Sequence, residues 1–350
     1  MPTALDKASS IIARRCKYLC RTAATFFAAC SRYPLRLLDG RATNPDSLHA
    51  LSQVMIVSPK LRRLHGMTTA NEKAYLYWYG KHIFTGKGDI VDLGCWLGST
   101  SISLAMGLER NNHAKTNKHI HSYDEFIWRA YMDNGTKGTN LEGKYRHGDS
   151  FLDEFERRAY PWRQYIKACP GDLANVGWHG GPIEFLLIDA MKSWDAASGV
   201  VQNFFPALVP GKSIIMHQDF AHWYTAWIHP IHYRLRDYFT PLYDVPSSGS
   251  MLFRLVRHIP SELVKQEWSP SQFTKEEIDL AFAYSLDIVG SEKRPNIVAA
   301  KIMYFIQTGQ LDQAKQDIDH ARSSGYTFDS DLLFAERRVA EEMASASQRV

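Results

Sequence analysis

The stretch Gly88-Asp-Ile-Val-Asp-Leu-Gly-Cys-Trp-Leu-Gly-Ser-Thr100 constrains the fold of this chain more than any other. Residues 90–93 are a short apolar, β-branched run ending at Asp92 and Gly94, which is the pattern of a buried strand. Residues 99–108 have the composition of a helix whose opening Ser/Thr group can cap free N–H groups. Between the two lies a tight turn with Gly94 and Gly98. A strand, a glycine turn and a helix N-terminus form a cradle where main chain approaches a ligand closely.

Spacing selects the ligand. A dinucleotide fingerprint needs G-x-G-x-x-G and a P-loop needs G-x-x-x-x-G-K-[ST]. This turn is D-x-G-x-x-x-G-S, with Trp96 and Leu97 where a pyrophosphate needs bare main chain. A dehydrogenase is therefore disfavoured. The pattern resembles motif I of the class I S-adenosylmethionine-dependent methyltransferases. That resemblance implies that Asp92, Gly94, Trp96, Gly98 and Ser99 surround the cofactor.

The downstream elements arrive in a matching order. Residues 119–124 read as a second strand ending in Asp124, where an acidic side chain reaches the ribose hydroxyls of a bound nucleoside. Residues 165–175 read as a short strand and a Gly171-Asp172 turn, placing Asp172 to accept from an adenine amino group with Leu173 flanking the ring. Gly-Asp also simply makes good turns. Residues 181–189 are a continuous apolar run ending in Asp189, as in a parallel strand buried on both faces. A helix over 193–208, the Pro210-Gly211 turn and a strand over 212–220 follow. Residues 242–245 and 251–256 read as a closing antiparallel hairpin.

Over residues 66–256 the chain thus resembles a class I methyltransferase. More narrowly it is similar to the macrocin O-methyltransferase-like group, which acts on small molecules and sugars. The resemblance implies a doubly wound, Rossmann-like α/β sheet of seven mostly parallel strands. It also implies S-adenosylmethionine as cofactor and O-methylation of a hydroxyl on a small molecule or saccharide.

The resemblance implies that the ends of the fourth and fifth strands face the cofactor, so Asp189, Lys192, His217, Gln218 and Asp219 are the candidates there. Asp189 is expected among the cofactor-binding residues, and His217, Asp219 and Lys192 as the catalytic ones. His217 is the preferred general base because an imidazole of ordinary pKa, about 6.5, suits neutral pH. The competing readings are a strand histidine held in the core and a lysine paired with Asp189 or Asp195. In the macrocin-like group acidic residues at both strand ends can hold Mg²⁺, and Asp189 and Asp219 match that arrangement. Gln218 stands where a second aspartate is usual, however, and Lys192 would repel the ion. No metal is expected. His229 and His232 are one helical turn apart but lack a third ligand for zinc. The aromatic run 220–233 can wall an acceptor pocket or fill a core.

The flanks are read from composition. Of the chain's net charge of +4, residues 1–41 hold eight basic side chains against Asp6 and Asp39, so the remainder is slightly acidic. Nothing there forms a nucleic-acid footprint. Residues 1–41 read as a basic helical segment that docks on the domain or brushes an anionic membrane. No apolar run reaches the roughly 20 residues of a membrane span, and a cytoplasmic location is expected. Five cysteines without a C-x-x-C pair suggest free thiols. Residues 42–258 are expected to form the methyltransferase domain. Within it, Thr69 or Asn71 caps a helix whose entry loop can lie over the cofactor, and 127–163 form an interlude at the substrate mouth. Residues 259–350 read as a helical appendage with one tetratricopeptide-like hairpin, packing on the domain or on a second subunit. The alternative to an enzyme is a non-catalytic protein that keeps this fold for binding or assembly.

Overall fold

The computed structural model describes residues 58–114 and 119–347, which lie within one compact unit. The basic segment 1–41 lies outside the described residues, as does its expected membrane contact.

Helix α1 (Ala70–Trp78) begins at a capping box in which Thr69 Oγ1 accepts the Glu72 N–H and Glu72 accepts the Thr69 N–H. A π-turn (Tyr79–Ile83) closes it. Strand β1 (Asp89–Leu93), helix α2 (Ser99–Leu108) and strand β2 (Ile120–Asp124) follow. The interlude holds a short helix (Met132–Thr136) and then α3 (Leu152–Ala159). Next come β3 (Ile166–Pro170), β4 (Ile183–Ile188), α4 (Trp194–Phe204), β5 (Ile214–His217), α5 (Ile228–Arg234), β6 (Phe239–Asp244) and β7 (Met251–Leu255). The C-terminal region contributes α6 (Lys275–Asp287), α7 (Arg294–Gln307), α8 (Leu311–Ser323) and α9 (Ser330–Ser347).

The seven strands form one sheet in the order β3-β2-β1-β4-β5-β7-β6. All pairings are parallel except those of β7 with β5 and with β6. The doubly wound, Rossmann-like expectation of seven strands holds. β4 is buried at every position and all ten residues of α2 are buried, as required between covered layers.

β5 and β6 differ most from their expected limits. β5 stops at His217: Gln218 N–H makes the last ladder bond, to Ile188 O, and beyond it the chain turns, with Thr225 Oγ1 donating to Asp219 O. β6 begins earlier than residue 242 because it is an edge strand, where Pro241 costs no ladder bond and a bulge follows. The hydrophobic core runs unbroken from Val91 and Ile188 through Phe220 and Phe253 to Phe282, Phe305 and Val339. It crosses residue 258 without a break. The α7–α8 hairpin is present, turning through Gly309 in the left-handed region.

Candidate functional site

The strand order reverses between β1 and β4, so the loops leaving their carboxyl ends diverge and open a crevice. That is where ligands bind in doubly wound sheets. The β1–α2 loop passes the end of β4 so closely that a Cβ on Gly94 (φ +88°) would lie 2.8 Å from Ala190 Cβ. Gly98 (φ +84°) is the N-cap of α2, and no side chain caps that end. The expected Ser/Thr cap is therefore corrected. Thr100 Oγ1 and Ser101 Oγ instead donate to Asp92 Oδ2 at 2.7 and 2.5 Å, and Ser99 Oγ pairs with Thr68 Oγ1 at 2.7 Å. A buried carboxylate outcompetes the helix terminus for these hydroxyls.

Asp92 is fully buried, and its Oδ1 has no partner among the described residues. Burial raises its pKa to about 6, against the pull of the Ser101 and Thr100 hydrogen bonds. Asp124 ends β2 with Oδ2 accepting the Trp96 N–H and Oδ1 accepting the Phe126 N–H, both at 2.9 Å. This bond holds Trp96 in the left-handed conformation (φ 41°) inside the glycine loop. The Trp96 ring is buried against Trp128, and its Nε1 has no partner among the described residues.

Asp172 comes beside Asp124, since Gly171 N–H donates to Asp124 O at 2.9 Å. Its carboxylate is engaged within its own turn, accepting from Ala174 N–H at 3.0 Å and Asn175 Nδ2 at 2.7 Å. Leu173 is buried, its carbonyl close against Gly199 of α4.

On the far side of the crevice Lys192 bridges two strand ends. Its Nζ donates to Asp189 Oδ1 at 3.2 Å and pairs with Asp219. Burial opposes the ammonium charge, but Asp219 and Asp189 outweigh it and raise the Lys192 pKa. Burial lifts Asp189 well above the ordinary carboxylate range; Lys192 pulls it back, while charges on Asp219 and Glu72 push it further up. The tight partner of Lys192 is Asp219, which leaves Asp189 as the carboxylate with raised proton affinity.

His217 corrects an expectation. It is buried, its Nδ1 has no partner among the described residues, and burial lowers its pKa to about 3. The near-neutral imidazole that recommended it as a base is not there. Its neighbours are His232, Phe220 and Phe253. His229 shares a 2.9 Å hydrogen bond with Ser285 Oγ in the same buried layer. Phe220, Trp227, Ile228, His229, Ile231 and His232 are all core. Most of the aromatic run therefore fills the interior.

Some members of the site escaped the sequence. Glu72, buried in the first turn of α1, reads from the sequence as a plain packing residue of that helix. Tyr131 lies in the interlude with no motif around it; burial raises its phenol pKa, which also feels the charges of Lys192, Asp124 and Asp189. The residue is 59% exposed, so only part of its surface is desolvated.

The residues fit a nucleoside-bearing ligand: a cradle with no room for a Cβ, an uncapped helix N-terminus, and a buried unpartnered carboxylate oxygen. They do not fit a divalent ion, because the Lys192 ammonium already stands between the two strand-end carboxylates. Among the described residues no group of three or more His, Cys, Asp or Glu could hold a metal.

No family model and no curated protein matches the chain. Among solved structures it is similar to an O-methyltransferase from Bacillus cereus in complex with SAH, at 11% identity and TM-score 0.36, covering 60% of this chain and 96% of that one. It is also similar to the CcbJ methyltransferase from Streptomyces caelestis, at 13% identity and TM-score 0.28, over 49% of this chain and 57% of that one. A third is an S-adenosylmethionine-dependent methyltransferase from Clostridium acetobutylicum ATCC 824, at 10% identity and TM-score 0.28, over 69% and 86%. The chain spans little more than half the length of the CcbJ enzyme. The fold assignment rests on the sheet order itself.

Proposed function

We propose that this chain is an S-adenosylmethionine-dependent methyltransferase acting on a hydroxyl of a small molecule or saccharide. The observation that carries this reading is the cradle at the strand-order reversal, with Gly94 pressed on Ala190, Asp92 Oδ1 unpartnered and Asp124 at the next strand end. The remaining lone pairs of Asp124 suit ribose hydroxyls, and Asp172 and Leu173 lie next along the sheet edge for the base.

The bound cofactor supplies a methyl group on a positively charged sulfur. The chain must hold the acceptor oxygen about 3–3.5 Å from that carbon and take its proton. Asp189 is assigned the proton, because burial raises its affinity while Lys192 keeps it oriented. The Lys192 ammonium, fixed by Asp219, steadies negative charge developing on the acceptor oxygen. His217 stays neutral and supports the end of β5 from within. Tyr131 borders the mouth on the acceptor side.

Calorimetry with S-adenosylmethionine tests the donor reading; absence of binding at high micromolar concentration would return the chain to the non-catalytic alternative. A screen of hydroxylated acceptors with labelled cofactor then tests the transfer. Turnover is expected to be unchanged by EDTA, since Lys192 fills the cation position. Abolition by EDTA with recovery on adding Mg²⁺ would refute that assignment.

A further inference from the structure

We propose that Lys293, at the start of α7, is a positioning residue for the loop 66–69 at the lip of the cradle, acting through Ser250 and Glu72. The inference rests on the methyl-donor reading above only for its ligand-binding readout.

The path is a continuous run of hydrogen bonds across three regions of the chain. Lys293 is the N-cap residue of α7, and its side chain is 4% exposed. Its three N–H donors are all used: on the Asp244 carboxylate, on Val245 O at 2.8 Å and on Ser250 O at 2.8 Å. Ser250, in the β6–β7 turn and fully buried, donates its hydroxyl to Glu72 Oε1 at 2.5 Å. The other oxygen, Glu72 Oε2, accepts the Thr69 N–H at 2.6 Å. The adjacent Thr68 pairs with Ser99, the first residue of α2, at 2.7 Å. Gly66 lies against the same Ser99 with no room for a Cβ. A second tie runs alongside, from Asn71 Nδ2 to Pro246 O at 2.9 Å.

Two features distinguish this path from ordinary packing. Of its charged members Lys293 and Glu72 are buried and Asp244 is partly so, and the Lys293–Ser250–Glu72 links lie in a low dielectric where losing one partner strands the next. It also connects elements distant in sequence, with 178 residues separating Ser250 from Glu72. The loop it holds contacts the helix end that no side chain of its own caps. The C-terminal region is thereby part of the donor site rather than an accessory to it.

The test uses the full chain in four forms: wild type, Ser250→Ala, Lys293→Met and the double variant. Ser250→Ala removes the link to Glu72 but leaves the Lys293 bond to the residue 250 carbonyl, so it separates positioning from anchoring. S-adenosylmethionine affinity is measured by calorimetry, with thermal melting and hydrogen exchange at the Thr69 amide. Each single variant should weaken binding about tenfold, the usual scale of coupling between linked sites, and the double variant no further than the weaker single. Thr69 exchange should quicken in both. Wild-type affinity in a folded Ser250→Ala protein, or fully additive losses, would overturn the proposal. Should Lys293→Met fail to fold, Ser250→Ala decides alone. Should the wild type bind no S-adenosylmethionine, the donor reading fails, and unchanged Thr69 exchange in Ser250→Ala would then overturn the positioning role separately.

Discussion

Burial moves Asp92 and the histidines beneath the crevice in opposite directions along the pH axis, and their signs set the stability profile. Asp92 has a folded pKa of about 6 against an ordinary 3.8. Its contribution is complete below about pH 3.8 and is lost as pH rises through about 6. His217 and His229 are lowered to about 3 from 6.5, burial being the main cause, and His232 is lowered as well. Their contributions are present above pH 6.5 and are lost as pH falls. Each group changes stability by about 1.4 kcal/mol per pH unit inside its window. Asp124 and Asp189, also raised by burial, act in the same direction as Asp92, but His65, His82 and His121 are lowered like the three buried histidines. Six histidines outnumber three aspartates, so urea midpoints should fall from pH 6.5 to pH 4.5, and His217→Asn should flatten that slope by about one proton. A profile that is level or rises on acidification would contradict this. The same residue comparison sets the kinetics. Asp189→Asn should lower kcat at least a hundredfold, the lower end for a proton acceptor, with S-adenosylmethionine affinity little changed. Because Asp189 holds its proton more tightly than an ordinary carboxylate, wild-type turnover should decline on acidification at a higher pH than an unperturbed carboxylate would give. Full turnover in Asp189→Asn would remove its role.

Elements were legible where periodicity and punctuation agree. The apolar run of β4, the Pro210-Gly211 turn and the strand–turn–helix at 88–108 all follow from local sequence, and the seven-stranded sheet was implied by the resemblance that their succession carries. What local pattern could not supply was competition between partners. The Ser/Thr run at 99–101 has the composition of a helix cap, yet its hydroxyls serve Asp92 and Thr68, because a buried carboxylate is a stronger acceptor demand than a terminus facing a crevice. Likewise His217 stands at a strand end, where titratable residues often act. Only the packing of α5 and β7 around it reveals that its proton affinity has been driven down. Tyr131 had no signal at all, since its relation to Lys192 and Asp124 is made by the path of the interlude. The β1–α2 loop gives the sharpest test at this scale. Gly94→Ala adds a methyl where backbone φ is +88° and Ala190 is 2.8 Å away. It should destabilise the fold by about 2–4 kcal/mol, from left-handed strain and overpacking together. Cofactor binding should be lost even at temperatures where the variant is folded. A Gly94→Ala protein of unchanged melting temperature would mean that the two loops are not in contact.

Over the whole molecule, the C-terminal helices share the core of the sheet rather than resting on it. Arg234 of α5 forms a two-pronged ion pair with Glu277 of α6, at 2.6 and 2.7 Å, while His229 meets Ser285 of the same helix. Further along, Phe334 of α9 packs on Trp223 with ring centroids 4.2 Å apart. Trp223 lies in the segment that leaves Asp219, so α9 packs against the chain that follows β5. Among the described residues no helix is long and apolar enough to cross a membrane. Much of the apolar surface of α6–α9 is buried within this chain, while Leu280 and Leu333 stay exposed. If the core is continuous, damage at α9 must register in the sheet. Phe334→Ala should lower stability by about 2 kcal/mol, the scale for removing a large, partly buried aromatic side chain. That loss should appear as an equal shift in the unfolding midpoints from far-ultraviolet circular dichroism and from hydrogen exchange of the β4 amides. An early loss of helical signal with an unshifted β4 midpoint would instead make α6–α9 a unit separable from the sheet.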